Sequence, residues 1–251
     1  MSGHSKWATI KHKKGAADAK RGKAFSKISK ELILVARQGG GDPGTNSALR
    51  NLIQKAKGVN MPGDNVERAI KKGTGELGGV TYEEITYEGY AAGGVALIVN
   101  VLTDNKNRAA AEVRHVFNKH NSSFAGQGSV SRGFTRKGQI IVDAEGVDED
   151  KLMEVALNAG ADDMQKEGDQ FEILTDPTAF SNVAEALEKA GFKPSSSEIG
   201  MVPQLYVPVT EKAVAESVMK FVADLEDNDD VQNVYNNMDV DDAVLAELEK
   251  E

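Results

Sequence analysis

Cysteine is absent from the 251 residues of this chain. Its absence excludes a disulfide framework, a thiolate metal site and a cysteine nucleophile. Long apolar runs are missing as well: none approaches the ~20 residues needed to span a bilayer. The amino-terminal residues are rich in lysine where a secretory signal would carry an apolar stretch of about 7 to 15 residues. The expectation is a soluble, cytoplasmic protein with no membrane partner. Tryptophan occurs once, at Trp7. Acidic residues are scarce in one region only. Through Gly75, sixteen Lys and Arg face five Asp and Glu, a surplus of +11 that leaves −20 for the remainder and −9 in all. Separation of sign on this scale points to a polyanion-facing module joined to acidic, solvated domains, because net charge sets steering and non-specific binding rather than fold. The length allows two or three small domains, each with its own core.

The basic segment Met1 to Arg37 organises the rest. If Lys20 to Arg37 is helical, an advance of 100° per residue puts Phe25, Ile28, Leu32, Val35 and Ala36 on one side. Lys20, Lys23, Lys27, Lys30 and Arg37 fall on the other. Such a helix can bury its stripe in its own domain and offer about one cation per turn to phosphates; a merely solvated lysine face is the competing reading. Upstream, His4, Lys6, Trp7, Lys11, His12, Lys13 and Lys14 show no sustained apolar periodicity, which predicts an arm that orders on a partner. Trp7 is suited either to stack on a base or to anchor the arm on the helices behind it.

Gly39 to Gly44 breaks the first helix. Leu49, Leu52, Ile53 and Ala56 predict a second over Asn46–Lys57, and Val66, Ala69 and Ile70 a third from Pro62–Asn65 to Lys72, stopped by Gly73. Arg50, Lys55, Lys57, Arg68, Lys71 and Lys72 then point outward from a small basic bundle. The linker Gly58 to Asp64 reads as longer than the turn of a helix-turn-helix, and neither flanking helix has a face rich in Asn, Gln and Arg. Phosphate-directed lysines position a protein without reading sequence. Gly73-Thr74-Gly75-Glu76-Leu77-Gly78 matches G-x-G-x-x-G by letter, but a helix precedes it and a strand follows, the reverse of the dinucleotide fingerprint. It reads as a linker.

Beyond it, Glu84–Tyr90 alternates as a strand, and Val95–Leu102 is apolar on both faces, as a central strand would be. A helix over Asn107–His120 buries Ala109, Val113, Val116 and Phe117. Its other face, with Asn105, Lys106, Arg108, His115 and Lys119, is a second candidate patch, since a helix amino terminus flanked by cations attracts phosphate. Glu112 and His115 lack a second carboxylate or nucleophile to complete a mechanism, and His115 and His120 do not share a helical face for a metal. No catalytic residue, metal or cofactor is expected. A strand over Ser129–Phe134 follows. Then Gln139–Asp143, Glu149–Ala159, a short strand near Asp163–Gln165, Gln170–Leu174, Phe180–Ala190 and Ser196–Met201 give the order β-α-β-β-α-β of a ferredoxin-like unit with an acidic surface. Leu205–Val209, a helix over Glu211–Leu225 and Val231–Tyr235 supply what the Val95–Phe134 half lacks for a second such unit. The tail beyond Met238 reads as frayed or a short helix.

The expected fold is α+β: an N-terminal three-helix basic domain (1–79), then two ferredoxin-like α/β sandwich domains, the third (135–203) inserted in the second (80–134 and 204–240). Gly3-His4-Ser5-Lys6-Trp7, Lys11-His12-Lys13-Lys14, Asp18-Ala19-Lys20-Arg21-Gly22-Lys23, Tyr87-Glu88-Gly89-Tyr90 and Glu112-Val113-Arg114-His115-Val116-Phe117 resemble the YebC/PmpR family. The resemblance runs nearly end to end, through Asp229-Asp230-Val231-Gln232-Asn233-Val234-Tyr235. It implies a three-domain cytoplasmic protein, in bacteria a DNA-binding transcriptional regulator. The family also holds a mitochondrial translational activator of cytochrome oxidase and members linked to stalled ribosomes. The chain departs from the family pattern at Arg132-Gly133, where an aromatic and an aliphatic residue are expected before Phe134. The expected function is a non-enzymatic nucleic-acid-binding regulator. Its partner is promoter DNA or, alternatively, ribosomal RNA on the ribosome, with an enzyme acting on a phosphate substrate as a further alternative. The expected binding residues are His4, Lys6, Trp7, Lys11, His12, Lys13, Lys14, Lys20, Arg21, Lys23, Lys27, Lys30, Arg37, Arg50, Lys55, Arg68, Lys71 and Lys72, with the patch on the Asn107–His120 helix as a possible second set.

Overall fold

The computed structural model describes the backbone of residues 17–248 and the side chains of residues 22–248. Helices α1 (Ala17–Gly39), α2 (Ser47–Gly58) and α3 (Gly63–Gly73) come first. The stripe read from the sequence is the seam of this bundle: Ile28, Leu32 and Ala36, joined by Ile33, are buried against Leu49 and Ala56 of α2 and Ala69 of α3, with Phe25 and Val35 at the edge. Asn46 ends one helix and begins the next. Its Oδ1 accepts from Leu49 N at 3.1 Å, while its amide donates to the carbonyls of Val35 (3.1 Å) and Gly40 (2.9 Å). Gly73 closes α3 for a reason beyond stopping a helix. A Cβ there would lie 2.5 Å from the Ile33 carbonyl oxygen, so α3 can cross α1 this closely only with glycine. Only residues 59–62 separate α2 from α3, fewer than the sequence reading assigned, because Gly63 and Asp64 are already helical.

Next come β1 (Glu83–Tyr90), β2 (Ala96–Thr103), α4 (Lys106–Lys119) and β3 (Ser123–Ala125). These are followed by β4 (Phe134–Asp143), α5 (Glu149–Ala159), β5 (Ala161–Glu167), β6 (Gln170–Thr175), α6 (Phe180–Lys189) and β7 (Pro194–Pro203). The chain continues as β8 (Val207–Val209), α7 (Lys212–Glu226), β9 (Val231–Asn236), β10 (Met238–Val240) and α8 (Asp242–Leu248). The protein is α+β, with N-terminal helices and then two antiparallel four-stranded sheets.

Residues 134–203 form one sheet in the order β5-β6-β4-β7, the spatial order of a ferredoxin-like β-α-β-β-α-β unit. Ile140, Val142, Phe171 and Ile173 meet Leu152 and Ala156 of α5 and Val183 and Leu187 of α6. The other sheet, β3-β1-β2-β9, keeps that spatial order with a permuted chain: β1 stands where the third strand of such a unit would stand. Leu97, Val99 and Val101 of β2 pack on Ala109, Val113 and Phe117 of α4 and on Val218, Phe221 and Val222 of α7. The other face of β2 offers Ala96 and Ile98 to Val130, Phe134 and Tyr235, with Met201 of β7 alongside, which joins the two sheets. Burial on both faces is what the continuous apolar run of β2 required.

Two of the expected strands change. Ser129–Phe134 is not a strand: Ser131–Gly133 is a 3-10 turn, and the strand after α4 is the three-residue β3. The cause is Glu88, buried on β1, whose carboxylate accepts from the backbone N–H groups of Gly128 (2.8 Å), Val130 (2.6 Å) and Ser131 (3.0 Å). Those donors are therefore withdrawn from any sheet ladder. Arg132 and Gly133 are exposed on this turn. Second, Val207–Val209 does not enter the main sheet but pairs in parallel with β10. Of the two readings of the tail, the structure has the short helix, α8, with Val244 and Leu248 buried beside the core of α7.

Candidate nucleic-acid interface

Of the expected binding residues, His4, Lys6, Trp7, Lys11, His12, Lys13 and Lys14 lie outside the described residues, and Lys20 and Arg21 are described only as helix backbone. The remaining cations of the bundle divide in two. One set stays on its surface. Arg68 is exposed and Lys72 half-buried. Arg50 donates to the Pro43 carbonyl at 3.1 Å, Lys55 pairs with Glu31 at 3.0 Å, and Lys71 pairs with Glu67 one turn before it. Arg37 donates to Thr81 Oγ1 at 2.7 Å. Exposed pairs such as Lys71–Glu67 hold little energy, so these side chains can be re-aimed at a phosphate at low cost.

The other set turns toward the chain itself. Lys23, Lys27 and Lys30 follow one another at helical spacing on one face of α1 and meet the end of α7. Lys23 donates to the carboxylate of Asp227 and to its carbonyl at 3.0 Å. Lys27 donates to the Glu226 carbonyl at 2.8 Å, and Lys30 to the Asp229 carbonyl at 2.9 Å and to Asp230 Oδ1 at 2.6 Å. Lys27 and Lys23 thus satisfy the Glu226 and Asp227 carbonyls at the carboxy terminus of α7, where positive charge also complements the helix dipole, and Lys30 satisfies that of Asp229 in the turn beyond. The acidic turn Asp227-Asn228-Asp229-Asp230 is the part of this site that sequence reasoning missed. Its signal was four consecutive polar residues, three of them Asp, just past the predicted end of a helix.

Asp230 sits at the centre of the junction and is 3% exposed. Its Oδ2 accepts from Thr103 Oγ1 (2.8 Å) and from Arg108 Nη2 (2.7 Å), opposite the Lys30 bond on Oδ1. Burial by itself would raise the Asp230 carboxyl. The hydrogen bonds from Lys30, Arg108 and Thr103 outweigh it and hold the group below its ordinary range. Bonds to Asp230 and Asp104 likewise hold the Arg108 guanidinium above its usual value. A cavity of about 460 Å³ opens beside this cluster between α1, α4 and the turn, bordered by Lys23, Tyr82, Glu112 and Asp227 among others. Burial, and next the charges of Asp104 and Asp230, push the Tyr82 phenol up.

The second candidate patch is arranged differently from its expectation. Asn105 is the cap of α4, accepting from Arg108 N at 3.1 Å. Lys106 pairs with Glu83, Arg108 with Asp104 and Asp230, and Lys119 with Asp224 at 2.6 Å. The Lys119 bond, with a second from His120, lowers the Asp224 carboxyl. Glu112 accepts from Asn228 at 2.7 Å, so it is not paired with His115, which is exposed along the groove between α4 and α7. The helix face the sequence assigned to phosphate is bonded to β1, α7 and the turn after α7.

Two family models match the chain. One, described as the TACO1/YebC protein N-terminal domain, covers residues 5–76; the other, the TACO1/YebC second and third domain, covers 82–238. A relative from Geobacter sulfurreducens named probable transcriptional regulatory protein is 57% identical over 250 residues, 100% of this chain and 99% of that one. One of the same name from Syntrophus aciditrophicus is 55% identical over 249 residues, 99% of each. A crystal structure of a conserved hypothetical protein from Aquifex aeolicus is similar with a TM-score of 0.84 at 46% identity, covering 94% of this chain and 97% of that one.

Proposed function

Because the chain belongs to the TACO1/YebC family, we propose that it is a non-enzymatic regulator of gene expression that binds nucleic acid through its basic N-terminal third. One observation carries the reading: the +11 surplus lies in residues 1–75, which end in the three-helix bundle, while the −20 remainder lies in the part of the chain that holds the two sheets. A polyanion approaching such a molecule is drawn to one end and repelled from the other. The cavity gives no support to an enzyme. Its central carboxylate accepts from three side chains that favour its ionised form, and its arginine is held above its usual value, an arrangement ill suited to a general acid or base.

DNA is the first choice of target, since the relatives are named as probable transcriptional regulators. The four-residue connection between α2 and α3 is of helix-turn-helix length, which removes the earlier objection on spacing. A specific observation keeps RNA as the second reading. α3 opens with Asp64 and places Glu67 one turn before Lys71, and acids at the start of a helix are ill suited to lead it into a major groove. The Lys-rich arm suits irregular RNA and ribosomal targets better. Crosslinking in cells, followed by sequencing of both RNA and DNA bound to the protein, tests the proposal. Sharp promoter peaks are expected on the DNA reading and a focused ribosomal RNA site on the second. Background levels of both would overturn nucleic-acid binding altogether.

A further inference from the structure

On the reading that the bundle meets nucleic acid, we propose that the Lys23, Lys27 and Lys30 face of α1 is a phosphate-binding surface held closed by the chain's own 226–230 turn. A nucleic-acid backbone opens it by taking the turn's place. The turn offers what phosphates would offer. Carbonyl oxygens of Glu226, Asp227 and Asp229 and carboxylate oxygens of Asp227 and Asp230 meet the lysines in register along the helix, and the end of α7 adds its partial negative charge. The lysines are therefore already aligned for a polyanion.

The closure is graded. At its outer rung, the side chains of Lys23 and Asp227 are 38% and 75% exposed; at its inner rung, those of Lys30 and Asp230 are 15% and 4% exposed. Removing one partner from a buried pair normally strands a charge. Here Thr103 and Arg108 remain on Asp230 Oδ2 after Lys30 leaves Oδ1, and the guanidinium keeps the carboxylate paired while the side that α1 vacates opens to water. The apolar cluster of the bundle draws on residues between Phe25 and Tyr82 and shares no member, among the described residues, with the clusters of the first sheet. A polar junction of this kind permits domains to move relative to one another. The apparent affinity for nucleic acid is then the affinity of the open form reduced by the fraction that is open.

The lack of cysteine makes the test clean. Gln54→Cys on α2 and Lys220→Cys on α7, both exposed positions, introduce a single pair of thiols for spin labels. The inter-label distance is measured in the full chain with and without a 20-base-pair DNA duplex or a 20-nucleotide single-stranded RNA. Binding of each is measured for Asp227→Asn/Asp229→Asn, which keeps every lysine and Asp230. Asp163→Asn/Asp169→Asn makes the same charge change on the second sheet and serves as the control. The distance is expected to change on binding, and the Asp227/Asp229 variant to bind about threefold or more tighter than the control, the scale of losing exposed pairs. Binding with an unchanged distance and equal affinities would overturn the closure alone. If neither nucleic acid binds the wild type or the variant at low salt, the functional reading fails and the closure falls with it.

Discussion

The two four-stranded sheets share a spatial order and differ in how the chain supplies it. The sheet of residues 134–203 comes from one continuous run, and its buried carboxylate, Glu172, accepts from Gln139 on the neighbouring strand β4. The other sheet gathers strands from both sides of that run. Its buried carboxylates reach much further: Glu88 holds residues 128–131, and Asp230 holds Lys30, Thr103 and Arg108. Local connectivity closes the first kind of sheet with apolar packing. A sheet assembled from distant segments gains little from local connection, and here its buried charges tie it to remote segments, Glu88 to residues 128–131 and Asp230 to Thr103 and Arg108, with Lys30 on the outer oxygen. The arrangement is demanding, because a buried carboxylate is tolerated only where its donors arrive.

The largest break in that comparison is expected at Glu88. Glu88→Ala leaves the N–H groups of Gly128, Val130 and Ser131 without their acceptor and should lower stability by about 3 kcal/mol or more. Glu172→Gln, which can keep a bond across β4 and β6, should cost about 1 kcal/mol or less. Urea midpoints of the two variants check this. Equal losses would mean that the distant fastening is no more demanding than the local one.

Asp230 sharpens the comparison through pH. Its folded carboxyl, like that of Glu88, lies below the unfolded value of about 4. Each therefore contributes stability that is fully present above that value and is lost as pH falls through the lowered folded value. Asp230→Asn should cost about 2 kcal/mol at pH 7, the scale of hydrogen bonds to a charged group, and should flatten the fall in stability below about pH 4. An unaltered acid slope in the variant would take Asp230 out of the fastening.

The same difference explains what could be read from the chain. Ile28, Leu32 and Ala36 reported their burial through helical spacing, and Val95–Leu102 reported a strand covered on both faces, because each pattern is dictated by nearest neighbours along the element. The contiguous β-α-β-β-α-β order of residues 134–203 was legible for that reason. The 3-10 turn at Ser131–Gly133 was not, since its cause is a carboxylate on Glu88, some 40 positions earlier in the chain. Nor was the fate of Lys23, Lys27 and Lys30. Periodicity placed them on one face of α1 and said nothing of the acidic turn about 200 residues away that meets them. Lysines bound for phosphate and lysines bound for a helix terminus follow the same spacing, and only the position of the partner separates them.

The smallest effect is expected on the outer side of α5, away from the core that the contiguous run builds for itself. Leu152 is fully buried in the core of that sheet, whereas Met153 and Leu157, one turn apart, are 36% and 48% exposed. Leu152→Ala should cost about 2 to 5 kcal/mol, as a cavity in a packed core does. The double substitution Met153→Gln/Leu157→Gln should change stability by no more than about 0.5 kcal/mol, the usual scale for a surface site. Thermal or urea unfolding of the full chain reads both. A loss above about 1 kcal/mol in the double variant would show that the outer side of α5 also contributes to the fold. The core of Leu152, Ala156, Val183 and Leu187 would then not suffice for the helix-covered face of the 134–203 sheet, and contiguity would separate it less sharply from the sheet that Glu88 and Asp230 hold together.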